Sequence, residues 1–366
     1  MFDKVDKPLL VTSIVLLISG LIIFGSAALG VLAHNEDKFF SVIKTQLIFA
    51  LVGGAIALYV GSLIPHSLYK KYAYVLFMGA VILNACIFIP GFSRPHGGAH
   101  RWIDIGSFSI QPSEALKFTF VLLVAFWCSK YRILFKDWRF GFLPYICSLG
   151  LITVLLLKQP DFGTYFVIAG ASLVTYFVGG ARKRHLQYLF VCGAIGFTLL
   201  LCMRPYMLER VKTFLNNTHD PRGSSWQLNQ SLIALGNGGL TGRGLGQSVQ
   251  KFNYLPEPIG DSVFAVLGEE LGFVGALYLV TLYAIVGVRG YRIAKYARDQ
   301  FGRFLATGLA SILLIQAALN ISSMLGITPL TGVPLPLVSH GGTALVAALF
   351  ELGVLLNISK STTDYV

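Results

Sequence analysis

Four sets of residues could do chemistry in this chain, because each places charge or exposed backbone inside or beside an apolar run. Glu114 and Lys117 stand three apart in Gln111-Pro-Ser-Glu-Ala-Leu-Lys117, just after a proline that can open a helix. That spacing puts carboxylate and ammonium on one helical face, where they can pair. Two readings stay open: a structural ion pair, or a lysine whose charge also faces an anionic substrate group. Asp161, in Gln159-Pro-Asp-Phe-Gly163, leaves a carboxylate in a turn between two apolar runs, where it either meets a ligand or caps the next helix. Asp261 opens a long apolar stretch and is followed by Glu269 and Glu270. If helix runs from 261 onward, steps of 8 and 9 residues at about 100° each place Glu269 about 80° from Asp261 and Glu270 about 180° away. The fourth set is Val333-Pro-Leu-Pro-Leu-Val-Ser339-His340-Gly-Gly-Thr343, where two prolines break any continuous helix. Its Ser/Gly/Thr cluster either exposes backbone N–H groups suited to an anion such as phosphate, or forms a re-entrant turn.

The elements that must position these groups follow from composition. Of 366 residues, 55 % are hydrophobic and 13 % charged, whereas an ordinary soluble domain carries about 25 % charged residues. Charge this sparse cannot coat a globule, and disorder requires the reverse balance. Apolar runs long enough to cross a bilayer fall at roughly 8–33, 42–64, 73–92, 113–129, 141–158, 162–180, 186–203, 262–288, 304–327 and 341–358. The expected fold is an all-α polytopic membrane protein of about ten transmembrane helices, a single domain over 1–366. One large extracytoplasmic loop, about 204–261, lies between helices 7 and 8. Within it the amphipathic stretch from Trp226 to Leu235 reads as a short interfacial or re-entrant helix. A loop this long is usually functional.

Basic residues set the orientation. With the N-terminus cytoplasmic, seventeen Lys and Arg, from Lys4 and Lys7 through Arg182, Lys183 and Arg184 to Lys360, fall in inner segments. The short outer loops hold five: Lys38, Lys44, Arg94, Arg101 and Lys158. The positive-inside rule therefore places both termini in the cytoplasm. Most of the net charge of +12 serves topology, and no basic soluble face suggests nucleic acid. The run from Pro8 to Ala33 is too long for a signal peptide and reads as a first span. Five cysteines without a CxxC pair indicate neither disulfides nor zinc. His96 and His100 lack a third ligand nearby, and the glycines of 236–246 lack the Lys-Ser/Thr of a P-loop.

Several strings occur in a telling order: Gly98-Ala-His-Arg101-Trp102-Ile-Asp104, Gln111-Pro-Ser-Glu114-Ala-Leu-Lys117, Gln159-Pro-Asp161-Phe-Gly-Thr164, Asp220-Pro-Arg-Gly223, Gln230-Ser-Leu-Ile-Ala-Leu-Gly236, Tyr254-Leu-Pro-Glu257, Gly268-Glu-Glu-Leu-Gly272 and Val333-Pro-Leu-Pro-Leu-Val-Ser339. Over about 90–345 the chain closely resembles the SEDS family (shape, elongation, division and sporulation), with Gly244-Leu-Gly-Gln-Ser-Val-Gln-Lys251 more like the division member FtsW than RodA. The resemblance implies a peptidoglycan glycosyltransferase of the bacterial plasma membrane. Such an enzyme polymerises lipid II into glycan strands on the outer face, beside a class B penicillin-binding transpeptidase. The family's essential aspartate maps onto Asp261. Ile259-Gly260 and His340 depart from the family pattern, which commonly reads His-Thr and Tyr at those places.

Glycosyl transfer from a lipid pyrophosphate needs a base for the acceptor hydroxyl and donors or cations for the developing pyrophosphate charge. The expected catalytic residues are Asp261 as base and Glu269 tuning or orienting the site from below. Arg101, Lys117, Arg210, Lys212, Arg243 and Lys251 are candidate pyrophosphate partners. Glu114, Asp161 and Ser339 complete the expected substrate-binding set, and Trp102 offers a surface for sugar or lipid. A divalent cation such as magnesium or manganese would help bridge phosphates, and no ligand cluster in the sequence demands one. Two other classes use the same residues: a lipid II flippase or transporter, which needs a path open to both faces, and a non-catalytic scaffold that recruits a transpeptidase.

Overall fold

The computed structural model describes residues 5–33, 35–89, 92–93, 101–105, 108–203, 205–215 and 225–362. Arg94, His96, His100 and the Asp220–Gly223 string lie outside them.

Helices begin where the sequence offers caps. Asp6 accepts from Leu9 N at 2.8 Å to start α1 (Lys7–Leu32), with Pro8 in the first turn. Asn35 does the same for α2 (Glu36–Leu47), which continues through a π-helical turn at Ile48–Gly54 into α3 (Ala55–Leu63). After α4 (His66–Cys86), strands β1 (Ile103–Ile105) and β2 (Phe108–Ile110) form a small antiparallel hairpin that the apolar periodicity does not announce. It leads into α5 (Pro112–Lys130), α6 (Leu143–Lys158), α7 (Phe162–Val178) and α8 (Lys183–Met203). The large loop carries α9 (Pro205–Leu215), α10 (Trp226–Gly238) and the single turn α11 (Gln250–Asn253). The chain ends in α12 (Val263–Tyr296), α13 (Gln300–Met324) and α14 (Gly342–Ser359).

Long helical segments lie over all ten expected spans, and the chain is a polytopic, all-α membrane protein. Seven of them are, among the described residues, long and apolar enough to cross a bilayer by themselves. The others carry their charges at one end, as Lys70 and Lys71 do in α4 and Lys183 and Arg184 in α8, or are short, as α7 is. Exposed Ile, Leu, Val and Phe on the outside of the bundle, such as Val75, Phe190 and Phe273, suit a lipid surround.

α5, α13 and α14 are mostly buried and form the centre, with α13 against α5, α7 and α12, and α14 against α3. Small residues allow the closest approaches. Gly353 of α14 meets the Gly61 Cα at a distance of 3.1 Å from where a side-chain carbon would stand. One end of the bundle is fastened by ionic contacts. Arg289 near the end of α12 pairs with Asp6 at 2.8 Å, and Asp6 N donates to Ser359 Oγ at 3.0 Å. His66 Nε2 lies 2.8 Å from Asp299 Oδ1 at this same end. Both described chain ends therefore share a face. The start of α12, with Asp261 beside it, lies at the opposite end of a helix of 34 residues.

Candidate functional site

Asp261 precedes α12 instead of opening it. Gly260 N and Ser262 N both donate to Glu257 O, at 3.0 and 3.3 Å, and Ser262 is the N-cap. The turn is tight because Glu257 adopts φ 46. The helix-wheel expectation for Asp261, Glu269 and Glu270 therefore does not hold, since its first member is outside the helix. α12 is also broken at Gly272, with φ 63 and ψ −160.

Three elements hold Asp261. From α10, Gln227 Nε2 donates to Asp261 Oδ1 at 3.2 Å and to Ser262 Oγ at 3.0 Å. From α13, Asn320 Nδ2 donates to the Asp261 main-chain oxygen and to Val333 O, both at 2.8 Å. From α9, the Arg210 guanidinium lies close enough for its charge to act on the carboxylate. Arg210 also donates to Leu330 O. Gly332, at φ 67, stands beside both: a Cβ there would lie 3.8 Å from Asp261 Oδ2 and 3.9 Å from Arg210 Nη2.

The electrostatics suit a base. Burial pushes the Asp261 carboxyl up to about 6. The Gln227 hydrogen bond and Arg210 oppose that rise, and the Glu257 carboxylate adds to it. A carboxylate near 6 is mostly ionised at neutral pH and yet more basic than a free aspartate.

The remaining expected residues divide into exposed and structural groups. Lys212 is exposed and pairs with Glu209 at 3.1 Å, and Arg243 is about 40 % exposed, with Nη1 3.6 Å from Glu269 Oε1. Arg210, Arg101 and Trp102 are each half-buried. Lys251 is buried instead. Its Nζ donates to Glu270 Oε1 at 2.6 Å, Gly246 O at 2.9 Å and Ser26 Oγ at 3.2 Å, so its ammonium fastens the loop to α1. Glu269 accepts from Ser248 Oγ at 2.5 Å and Gln250 N at 3.2 Å. Its role is to fold the 243–251 strap onto α12, because strap and helix break are built together: Arg243 N and Gly244 N donate to the carbonyls of Glu269 and Glu270.

Asp161 caps α7 through Thr164 N at 3.3 Å and accepts from Ser113 Oγ at 3.2 Å and Gln111 Nε2 at 3.3 Å, binding α5 to α7. Arg101 is spent on the carbonyls of Gln159 and Pro160. Glu114 and Lys117 pair at 2.8 Å, as the spacing predicts, but deep among α5, α13 and α14, where Lys117 also donates to Gln316 Oε1 at 2.6 Å. Ser339 is buried, and its hydroxyl accepts from Leu335 N at 2.8 Å to close the turn. Two of the positions that depart from the family pattern meet through their backbones: His340 N donates to Ile259 O at 2.7 Å, a bond that does not depend on the His340 side chain.

Sequence reasoning missed Gln227, Asn320, Gln316 and Glu351. Glu351 lies mid-way along α14 near Glu114 and Lys117, and the argument from charge in apolar runs applies to it directly. The amides carry no charge, and only their place in apolar or amphipathic helices could have marked them. Among the described residues no group of three or more His, Cys, Asp or Glu could hold a metal ion. A divalent cation at this site would thus take most of its ligands from phosphate oxygens and water.

Residues 7–364 match the family model FtsW/RodA/SpoVE, described as cell cycle protein. The chain is 39 % identical to stage V sporulation protein E of Bacillus subtilis, over 97 % of both chains. It is 38 % identical to a probable peptidoglycan glycosyltransferase FtsW of Trichlorobacter lovleyi, over 97 % of this chain and 93 % of that one. Among solved structures, a chain of a peptidoglycan synthase complex that coordinates polymerization and crosslinking superposes with a TM-score of 0.81 at 27 % identity, covering 98 % of both chains. The rod shape determining protein RodA of Thermus thermophilus shares the fold, with a TM-score of 0.72 at 24 % identity over 99 % of both chains.

Proposed function

The chain belongs to the FtsW/RodA/SpoVE family, and on that premise we propose that it is a peptidoglycan glycosyltransferase that polymerises lipid II at the outer face of the bacterial plasma membrane. The observation that carries this reading is the Asp261 carboxylate, raised in pKa, held by Gln227 and Asn320, and with Arg210 and Gly332 beside it. Asp261 takes the proton of an acceptor sugar hydroxyl while its oxygen bonds to the anomeric carbon of the donor. The bond from that carbon to the pyrophosphate breaks, and the polyprenyl pyrophosphate leaves with the electron pair. Arg210 is the nearest cation for that charge, with Arg243 and Lys212 available further along the same loop.

The inner face is the one that holds both described chain ends, in keeping with the excess of Lys and Arg there, and Asp261 is then outside. A class B penicillin-binding transpeptidase is the proposed partner, supported by the likeness to a chain of a peptidoglycan synthase complex. Among the described interior residues, Glu114, Lys117 and Gln316 bond one another instead of lining a path between faces. That favours surface chemistry over transport. The test is the purified chain with lipid II in detergent, and separately in vesicles carrying lipid II on one leaflet, each with and without the transpeptidase. Glycan polymer is the expected product. Head-group translocation without polymer identifies a flippase, and neither product identifies a scaffold.

A further inference from the structure

The interior residues that substrate cannot reach still bear on the reaction. The segment 331–337 is irregular and buried at Val333, Leu335 and Leu337, and Pro334 and Pro336 have no N–H with which to join regular structure. Its buried carbonyls must nevertheless be satisfied. Two amides one helical turn apart on α13 do this: Asn320 Nδ2 donates to Val333 O at 2.8 Å and Gln316 Nε2 to Pro334 O at 2.9 Å. Asn320 spends both N–H donors of its single amide nitrogen, the second going to Asp261 O at 2.8 Å. It thereby ties the turn that carries the base to the segment that carries Gly332.

Gln316 is oriented from the other side. An amide can present either end, but an ammonium only donates. Lys117 Nζ, 2.6 Å from Gln316 Oε1, forces the oxygen toward itself and the amide nitrogen toward Pro334. Glu114, 2.8 Å from Lys117, compensates the buried charge. Lys117 is 3 % exposed and Gln316 likewise 3 %, so neither meets a phosphate.

We propose that Lys117, Gln316 and Asn320 are positioning residues for the transfer at Asp261, a line of side-chain bonds from the bundle interior that sets the 333–336 segment and the Asp261 turn in register. The inference rests on the function proposed above. Lys117 is thereby a determinant of turnover, acting through Gln316, and is not a pyrophosphate contact.

The test combines kinetics and hydrogen exchange on the purified full chain. Lys117→Met and Gln316→Leu are each expected to lower kcat by about 10- to 100-fold, the range that misplacing a reacting group by an ångström or so produces. KM for lipid II is expected to stay within about twofold. The double variant is expected to be little worse than either single one, because both break the same line. Lys117→Arg, which keeps a donor-only cation, is expected to recover most of the rate. A raised KM in Lys117→Met with additive losses in the double variant overturns the inference in favour of direct phosphate contact. Exchange provides a reading independent of activity. In Lys117→Met and Gln316→Leu, amides of Leu335 to His340 are expected to exchange faster while α1 and α4 keep their protection. Unchanged exchange at 335–340 overturns the inference, even where the unsubstituted chain makes no polymer and the proposed function itself fails.

Discussion

Asp261 is a carboxylate whose surroundings favour its protonated form, and the sign of that effect can be tested. Its folded pKa, about 6, lies above the usual aspartate value of 3.8. The native state therefore binds more protons than the unfolded chain between those values, so this group's contribution to stability falls as pH rises from about 4 through 6. Asp261→Asn keeps the shape and removes the ionisation. At pH 7.5 the variant is expected to melt a few degrees above the unsubstituted chain, measured by thermal unfolding in detergent, and an unchanged or lower Tm counts against the environment described. The same pKa predicts that polymerisation loses activity below about pH 6 as the base is protonated, a limb visible in a pH profile of kcat. Scarcity of charge made Asp261 legible in the sequence. It did not reveal Gln227 and Asn320, because a neutral amide in an amphipathic or apolar helix does not stand out until its partners are known.

Elements broke at places the apolar pattern could not mark. Reading α12 as continuous from Asp261 misdirected Glu269, which in fact fastens the 243–251 strap, and the cause is the turn at Glu257–Ser262 together with the break at Gly272. Gly272 takes a left-handed φ, and a Cβ there would stand 2.6 Å from Leu240 O. Gly272→Ala is expected to destabilise the protein by roughly 2–3 kcal/mol, read by chemical or thermal unfolding, with proteolysis first within 240–251. Gly332, likewise at positive φ (67), would bring its added Cβ only into ordinary contact, 3.8 Å from Asp261 Oδ2 and 3.9 Å from Arg210 Nη2. Gly332→Ala is therefore expected to cost less stability and more function, lowering kcat/KM about tenfold by straining the turn and placing a methyl beside Asp261 and Arg210. A Gly332→Ala enzyme of full activity would show that no reacting group needs that place. By contrast, the helix start at Asp161 was legible, since caps are local.

For the molecule as a whole, a bundle of long apolar helices with the described chain ends on one face followed from hydropathy and basic residues, because a bilayer imposes length and sidedness directly on sequence. What joins the spans did not follow: Lys117 meets Gln316 across 199 residues and Arg289 meets Asp6 across 283, and no local pattern encodes such pairs. The Arg289–Asp6 pair fastens the face opposite the proposed chemistry. Arg289→Ala, which takes the guanidinium away from buried Asp6, is expected to cost roughly 3 kcal/mol of stability. The turnover of the folded fraction should stay unchanged, and a large loss of kcat at full folding would contradict that separation of faces.

Whether Asp261 is the base of the proposed glycosyl transfer is decided by the glycan polymer formed from purified lipid II by the unsubstituted chain and by Asp261→Asn at pH 7.5. Polymer is expected from the first and none above background from a fully folded second. Comparable polymer from both would contradict that role.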